Sequence, residues 1–374
     1  MTKRVFLTVL QNWYVLSFSL FFVQCTTKTS ILETQMPESQ FRGVWVTNVG
    51  SDAMKSEENI QNLVANCKKY QINHLFVVVW NKGLTQYPSA VLERYIGIKQ
   101  EPLFAHFDPL QVLIEQAHKE GIKVHAWFEF GFSFAYNDPE SIWIKKYPEW
   151  LGKDQDGNLL TKNNFMWWNA LHPEPQQFLL ELIEEVVTQY AVDGIQGDDR
   201  LPAMPSEGGY DPYTRKRYKE QYNTAPPLNH KQADWVSWRS QQLSEFAGRI
   251  YTQVKTLKPQ IKVSWAPSIY PWSEQEYLQA WPDWIEAGHA DFVVPQFYRY
   301  TLEDYTKIID ALEEHLSPEE REKIYAGVLT SLGGGYRVND TLLIDMIKYH
   351  RSKGISGEVF FYYETFNRLS KRGN

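Results

Sequence analysis

From about residue 41 onward, short apolar runs alternate with amphipathic segments, and they do so eight times. No other feature restricts the fold as much. Short apolar runs separated by helix-length stretches are what βα units on a parallel sheet produce. The runs cover 42–48 (RGVWVTN), 73–81, 123–130 (KVHAWFEF), 193–199 (DGIQGDD), 262–268, 291–299, 324–331 and 358–365. Eight of them predict an α/β fold, a (β/α)8 TIM barrel. A doubly wound open sheet is the competitor, but no Gly-rich phosphate fingerprint follows the first run.

End signals mark the intervening helices. Ser56 caps the first, which ends near Tyr70; Asp108-Pro109 opens the second and Gly121 closes it. The third carries the stripe Phe178, Leu179, Leu182, Ile183, Val186, Val187 and Tyr190, and a longer helix covers about 229–257. The chain stops soon after the eighth run, so the last helix is expected to be short or missing. Long connections follow strands three and four, at 131–173 and 200–229. Ordinary βα loops need about 2–6 residues, and both connections leave the strand end where barrel enzymes build their sites.

The net charge is −7 with no basic stripe, which argues against a nucleic-acid partner. Aromatic residues make up 15% of the chain, including 14 Trp, an excess that suits a sugar-binding cleft or an interface. The N-terminus has Lys3 and Arg4, then an apolar run over 13–23 that ends at Cys25. It is too short and too interrupted for a membrane span and reads as an export signal. It resembles a bacterial lipoprotein signal with Cys25 as the lipidated residue, although Gln24 stands where a small residue is usual. An ordinary cleaved signal or an uncleaved anchor is the alternative. The expected organisation is a signal at 1–25, a linker at 26–40 and one barrel at 41–374, on a membrane lipid anchor in the cell envelope. Cys67, the other cysteine, falls on an apolar helix stripe and is a core residue.

Strand parity sorts the candidate site residues, because alternate residues face opposite sides. In 123–130, Val124, Ala126 and Phe128 suit the helix layer, so His125, Trp127 and Glu129 point inward. In 193–199, Ile195 packs outward, which turns Gln196 and Asp198 inward; Asp199 begins on the other parity and either turns in with the loop or braces it. Gln296 and Tyr298 share a side in the sixth run, as do Phe360, Tyr362 and Glu364 in the eighth. Asp198, Glu129, Glu364, Gln296 and Tyr298 are thereby expected around one mouth.

Carboxylates clustered in an aromatic cleft suit glycosidic bond cleavage, in which one protonates the leaving oxygen and another attacks or activates water. Crowded carboxylates raise one another's pKa and keep one protonated. Asp198 is the candidate nucleophile or base, Glu129 or Glu364 the acid, and Asp199 an orienting or stabilising group. Trp80, Asn81, Trp127, Gln196, Gln296, Tyr298 and Tyr362 are the candidate sugar contacts. Trp167 and Trp168, in the first long connection, are expected mostly to pack that loop, with one of them offering a face to a ligand. His125 lies deep and reads as a hydrogen-bonded core residue. No cofactor or metal is expected.

The motifs RGVWVTN, KVHAWFEF, PEW, NALHPEP, VDGIQGDD, VVPQFY and VFFYYE occur in the order seen in the bacterial family commonly labelled "family 10 glycosylhydrolase", which the chain resembles over about 41–366. The resemblance implies an exported (β/α)8 barrel, often a lipoprotein, acting on glycans, with bacterial cell-wall strands a suggested substrate. The family's strand-four motif reads Asp-Gly-Ile-His, one variable residue, Asp-Asp-Tyr. This chain keeps Asp193, Gly194, Ile195, Asp198 and Asp199 but has Gln196 for the His and Arg200 for the Tyr. The carboxylates carry over and their neighbours do not. The segment also looks like strand four of the α-amylase-type barrels, whose nucleophile aligns with Asp198; their strand-five acid has no counterpart in KVSWAPS. Three readings follow: a glycoside hydrolase, a catalytically silent glycan-binding lipoprotein, and a metal-dependent deacetylase-like barrel using Asp198, Asp199 and His125.

Overall fold

The structure, a computed structural model, describes residues 40–333 and 335–372. The signal segment, Cys25 and the linker up to residue 39 lie outside the described residues.

All eight expected strands form: β1 (Arg42–Val46), β2 (His74–Val78), β3 (Lys123–Phe128), β4 (Gly194–Asp198), β5 (Lys262–Ala266), β6 (Phe292–Val293), β7 (Ala326–Leu329) and β8 (Glu358–Phe361). They pair in parallel, in one sheet, in the order β6-β5-β4-β3-β2-β1-β8-β7. Parallel bridges Val293–Ile324 and Gln296–Gly327 join its two edges and close the barrel. Pro295 supplies no N–H, which keeps β6 to two residues and leaves its edge to these bridges. The barrel helices are α1 (Glu57–Lys69), α2 (Pro109–Lys119), α3 (Pro173–Gln189), α4 (Ala233–Leu257), α5 (Trp281–Glu286), α6 (Leu302–Asp310), α7 (Asp340–Ser352) and α8 (Glu364–Arg372). Ser56 and Asp108 cap α1 and α2 through their side chains, as their sequence positions require. The last helix is present and short.

Side chains sort into two apolar layers. The larger lies between strands and helices and takes Val44, Val124, Ala126, Ile195 and Phe360. The smaller fills the barrel and takes Trp45, Phe76, Val78, Trp127, Phe292, Val359 and Tyr362. Parity is as expected on β3 and β4. On β8 it is reversed: Phe360 faces the helices, while Val359 and Phe361 face the interior. The strand ends at Phe361, so Tyr362 reaches the interior from a turn and Glu364 starts α8.

The interior is layered from bottom to mouth. At the bottom Phe41 stacks between His74 and Tyr325, with both ring centroids 3.9 Å away. Next His125 stacks on Phe76 and meets His74 Nδ1 through Nε2 at 2.9 Å. Burial holds the His74 imidazole down to about 4. Above them Trp45 Nε1 donates to Gln196 Oε1 at 2.8 Å. Asp198 and Gln296 form the top.

The connections after β3 and β4 fold into substructure the sequence did not announce. The first holds a three-stranded antiparallel sheet built from 161–162, 165–167 and 133–136. The second holds a helix over Pro212–Tyr222. A third long connection follows β2 and contains the hairpin pairing Trp80-Asn81 with Leu84-Thr85, and a helix over Ala90–Ile96. Glu185 on α3 fastens it: its buried carboxylate accepts from Ala90 N, Val91 N and the hydroxyls of Ser89 and Tyr87.

Candidate active site

β3 and β4 run side by side, with Trp127 level with Gln196 and Phe128 level with Gly197. Glu129 and Asp198 therefore leave neighbouring strands at one height. The chain then turns at Asp199-Arg200, and this turn brings the acids together. Gly197 permits it, because a Cβ there would lie 2.4 Å from Leu201 O and 2.6 Å from Trp265. Gly131, at φ +48°, meets the turn from the other side: Phe132 N donates to Arg200 O at 2.9 Å, and a Cβ on Gly131 would lie 2.0 Å from that oxygen.

Arg200 is the hub. Its Nη2 lies 3.0 Å from Asp198 Oδ2 and 3.7 Å from Glu129 Oε1, and its Nη1 lies 3.0 Å from Asp199 Oδ1. Its Nε donates to the Glu129 carbonyl at 3.0 Å, and its plane sits over Phe165 and Phe130 at 4.7 and 5.3 Å. Gln296 Nε2 donates to Asp198 Oδ1 at 3.0 Å. Asn81 Nδ2 donates to Glu129 Oε2 at 2.5 Å, while its Oδ1 is buried without a partner.

One guanidinium cannot neutralise three carboxylates. Burial, with the charges of Asp199 and Glu129, pushes the Asp198 carboxyl well above its ordinary range against the opposing pull of Arg200. Glu129 is also raised, by burial first and then by Asp199, while Arg200 and Asn81 pull it down. The Tyr298 hydroxyl is pushed well up by burial and the same three carboxylates, which keeps it a donor. Asp198 is nearly sealed at 4% side-chain exposure, Glu129 is at 14% and Asp199 at 27%, so the last two face the cleft.

The expected residues divide. Asp198, Asp199, Glu129, Gln296 and Tyr298 come together, and Asp199 turns in with the loop. Glu364 does not join them: it accepts from Ser51 and Asn367 between the β1–α1 and β8–α8 connections, because parity fails where β8 ends. Gln196 and Trp127 face inward but lie a layer below the mouth, fully buried, with Gln196 spent on Trp45 and Ser264. Tyr362 is 4% exposed, with its hydroxyl 3.5 Å from Gly50 O. Trp80 is buried, donating to Gly131 O and stacked on Trp168. Trp167 and Trp168 are both buried too, so neither offers a face to a ligand. Trp143, Trp150, Trp168 and Phe178 form a core for the long connections, which cannot stay ordered without one. His125 is the core histidine expected, paired with His74 and level with Gly194, at the far end of β4 from Asp198. That depth removes the ligand the metal-dependent reading needs.

Three residues with a place at the site were not anticipated. Arg200 stood out only as a departure from a motif. Tyr277 lies beside Asp199 and Arg200, accepts from Asn163 at 3.3 Å, and has a hydroxyl pushed up to about 12 by burial and Asp199. Trp272, next to it at 5.4 Å, is 46% exposed. Their position just after β5, on the face where the strands end, was the available signal.

Residues 40–346 match the family described as Glycosyl hydrolase-like 10. The chain is 24% identical over 316 residues to the glycosyl hydrolase DigH of Escherichia coli K12, covering 71% of this chain and 67% of that protein. It is 23% identical over 302 residues to the glycosyl hydrolase YngK of Bacillus subtilis 168, covering 70% of this chain and about half (54%) of YngK. Among solved structures, the glycoside hydrolase domain of PgaB from Bordetella bronchiseptica superposes with a TM-score of 0.67 at 14% identity, covering 88% of this chain and 95% of that one. The α-L-fucosidase isoenzyme 2 of Paenibacillus thiaminolyticus gives 0.59 at 18% identity, covering 87% and 48%. At these identities the two structures speak to the barrel alone.

Proposed function

The chain belongs to the Glycosyl hydrolase-like 10 family, and on that premise we propose that it hydrolyses a poly- or oligosaccharide by carboxylate acid–base chemistry. One observation carries the reading: three carboxylates converge on Arg200 at the mouth of the barrel, and two of them are held above their ordinary range. Asp198 is the nucleophile or base, oriented by Gln296 and Arg200. Glu129, more open to the cleft, is the acid that protonates the leaving oxygen. Asp199 stabilises positive charge developing on the sugar ring, and Tyr298, Tyr277 and Trp272 offer it aromatic and hydroxyl contacts. Bacterial cell-wall glycan is the substrate this reading puts first. It also takes the barrel to be exported and held by a lipid at Cys25, so Cys25→Ala should move the protein from the membrane to the soluble fraction.

Arg200 itself favours a second reading. A guanidinium pinned among all three acids also suits a protein that binds glycan without cutting it. Reducing-end release from a polysaccharide panel, including cell-wall glycan stripped of peptide, decides between them. The hydrolase releases ends, and Asp198→Asn slows it by at least about a hundredfold, the scale of a direct acid–base role. Binding without release by the wild type establishes the silent protein instead.

A further inference from the structure

Glu364 and the outer face of α1 are left unused by this chemistry, and they border one cavity. It occupies about 530 Å³ between the β1–α1 and β8–α8 connections, and Asp198, Asp199 and Glu129 take no part in its lining. Small-ligand sites run to about 300–1,000 Å³, so there is room for one or two pyranose rings.

Asparagine amides and the Glu364 carboxylate make up most of its polar wall, and the cation there, Lys55, is paired with Asp52 at 2.5 Å. α1 turns Ile60, Leu63, Val64 and Cys67 into the core and sets Asn59, Asn62 and Asn66 along the cavity, at the i, i+3, i+7 spacing of one helix face. Asparagine is a poor helix former, because its side chain competes for backbone hydrogen bonds. Three in one stripe work against the helix that carries them, the kind of local inconsistency that marks a functional surface. Asn59 is oriented by donating to Asp52 O at 2.8 Å, and Asn66 by donating to the Tyr363 hydroxyl at 2.9 Å.

On the facing wall Glu364 is 9% exposed, with Ser51 and Asn367 as its hydrogen-bond partners. Among the described residues its oxygens accept from neutral donors, Ser51 Oγ at 2.7 Å and Asn367 Nδ2 at 3.1 Å. A carboxylate with lone pairs to spare, facing amides that each donate and accept, is the set that vicinal hydroxyls satisfy in pairs. The cavity also adjoins the barrel mouth, since Gly50 in its wall is the residue that the Tyr362 hydroxyl reaches.

We propose that this pocket binds a neutral, hydroxyl-bearing sugar ring, a saccharide site separate from the carboxylate cluster. It rests on the glycan reading above for the class of ligand, but its test reads binding and not cleavage. In an Asp198→Asn background that prevents turnover, the full chain is titrated calorimetrically with chito-, cello- and malto-oligosaccharides of two to six units. Asn62→Leu, on an exposed helix position that leaves the fold intact, and Glu364→Gln are each expected to weaken binding at least tenfold. Unchanged affinity in both variants overturns the proposal, as does the absence of binding by the parent protein. Failure of the hydrolase reading appears elsewhere, as a wild type that releases no reducing ends while still binding in this pocket.

Discussion

Replacing Arg200 with methionine removes the charge while keeping most of the side chain's packing on Phe165. At an effective dielectric of about 20, charges 3.0 Å apart, as for Arg200 with Asp198 and with Asp199, attract by roughly 5.5 kcal/mol each. Much of this is offset by the desolvation of burying the charges. Removing one partner of a buried pair therefore costs about 3–5 kcal/mol in practice. The loss should depend on pH. Without the guanidinium, the carboxyls of Asp198 and Glu129, already raised, rise further. They escape the penalty by protonating, which is easy in acid and costly in base. The destabilisation of Arg200→Met should be near its full value at pH 8 and fade as pH falls through the folded-state pKa values to the ordinary carboxylate range at about pH 4. Urea unfolding of wild type and variant at both pH values reads it directly. A loss under about 1 kcal/mol at pH 8, or an equal loss at both, would refute an ionic hub.

Other consequences follow from the same geometry. Asp198 has a raised folded pKa, so its ionisation costs the native state stability as pH climbs from about 4 through that pKa. Asp198→Asn should therefore be more stable than wild type by about 0.5–2 kcal/mol at pH 7, the scale of relieving a functional strain, with the difference shrinking by pH 4. A variant less stable than wild type at pH 7 contradicts this. Gly131→Ala places a methyl against Arg200 O at a positive φ and should cost about 1–3 kcal/mol, read as a lower thermal midpoint. A Tm within a degree of wild type argues against the close approach. Because one Arg200 nitrogen reaches both Asp198 and Glu129, the pair fits the separation of about 5–5.5 Å used by retaining enzymes better than the roughly 6.5–9.5 Å of inverting ones. NMR of the first-formed product should find the anomeric configuration kept, and inversion would dissolve that pairing.

The barrel was legible because eight apolar runs separated by capped helices have few other solutions. Parity worked on β3 and β4, where acids or amides alternate with Ile195 or Val124 and mark which face is which. It failed on β8 because Phe360 and Phe361 are both apolar and both buried sides of a barrel strand accept either. Glu364 was misplaced for that reason and because the strand ends at Phe361, leaving Glu364 to start α8. The tryptophan excess pointed towards a cleft, yet Trp80, Trp143, Trp150 and Trp168 serve the long connections. Composition counts rings and cannot say which layer buries them. Arg200 was visible as a residue, but its meeting with Glu129, which lies 71 residues earlier in the chain, is a product of barrel closure. The pocket beside α1 likewise joins segments about 300 residues apart.

In the proposed hydrolase Glu129 and Asp198, gathered around Arg200, divide the acid and base work. The pH dependence of kcat/KM for wild type and Glu129→Gln, on a glycan the wild type cleaves, tests it most directly. Glu129→Gln should lose at least about a hundredfold of the rate, together with the limb of the wild-type pH profile that titration of Glu129 sets. A variant within about threefold of wild type, with that limb intact, would contradict it.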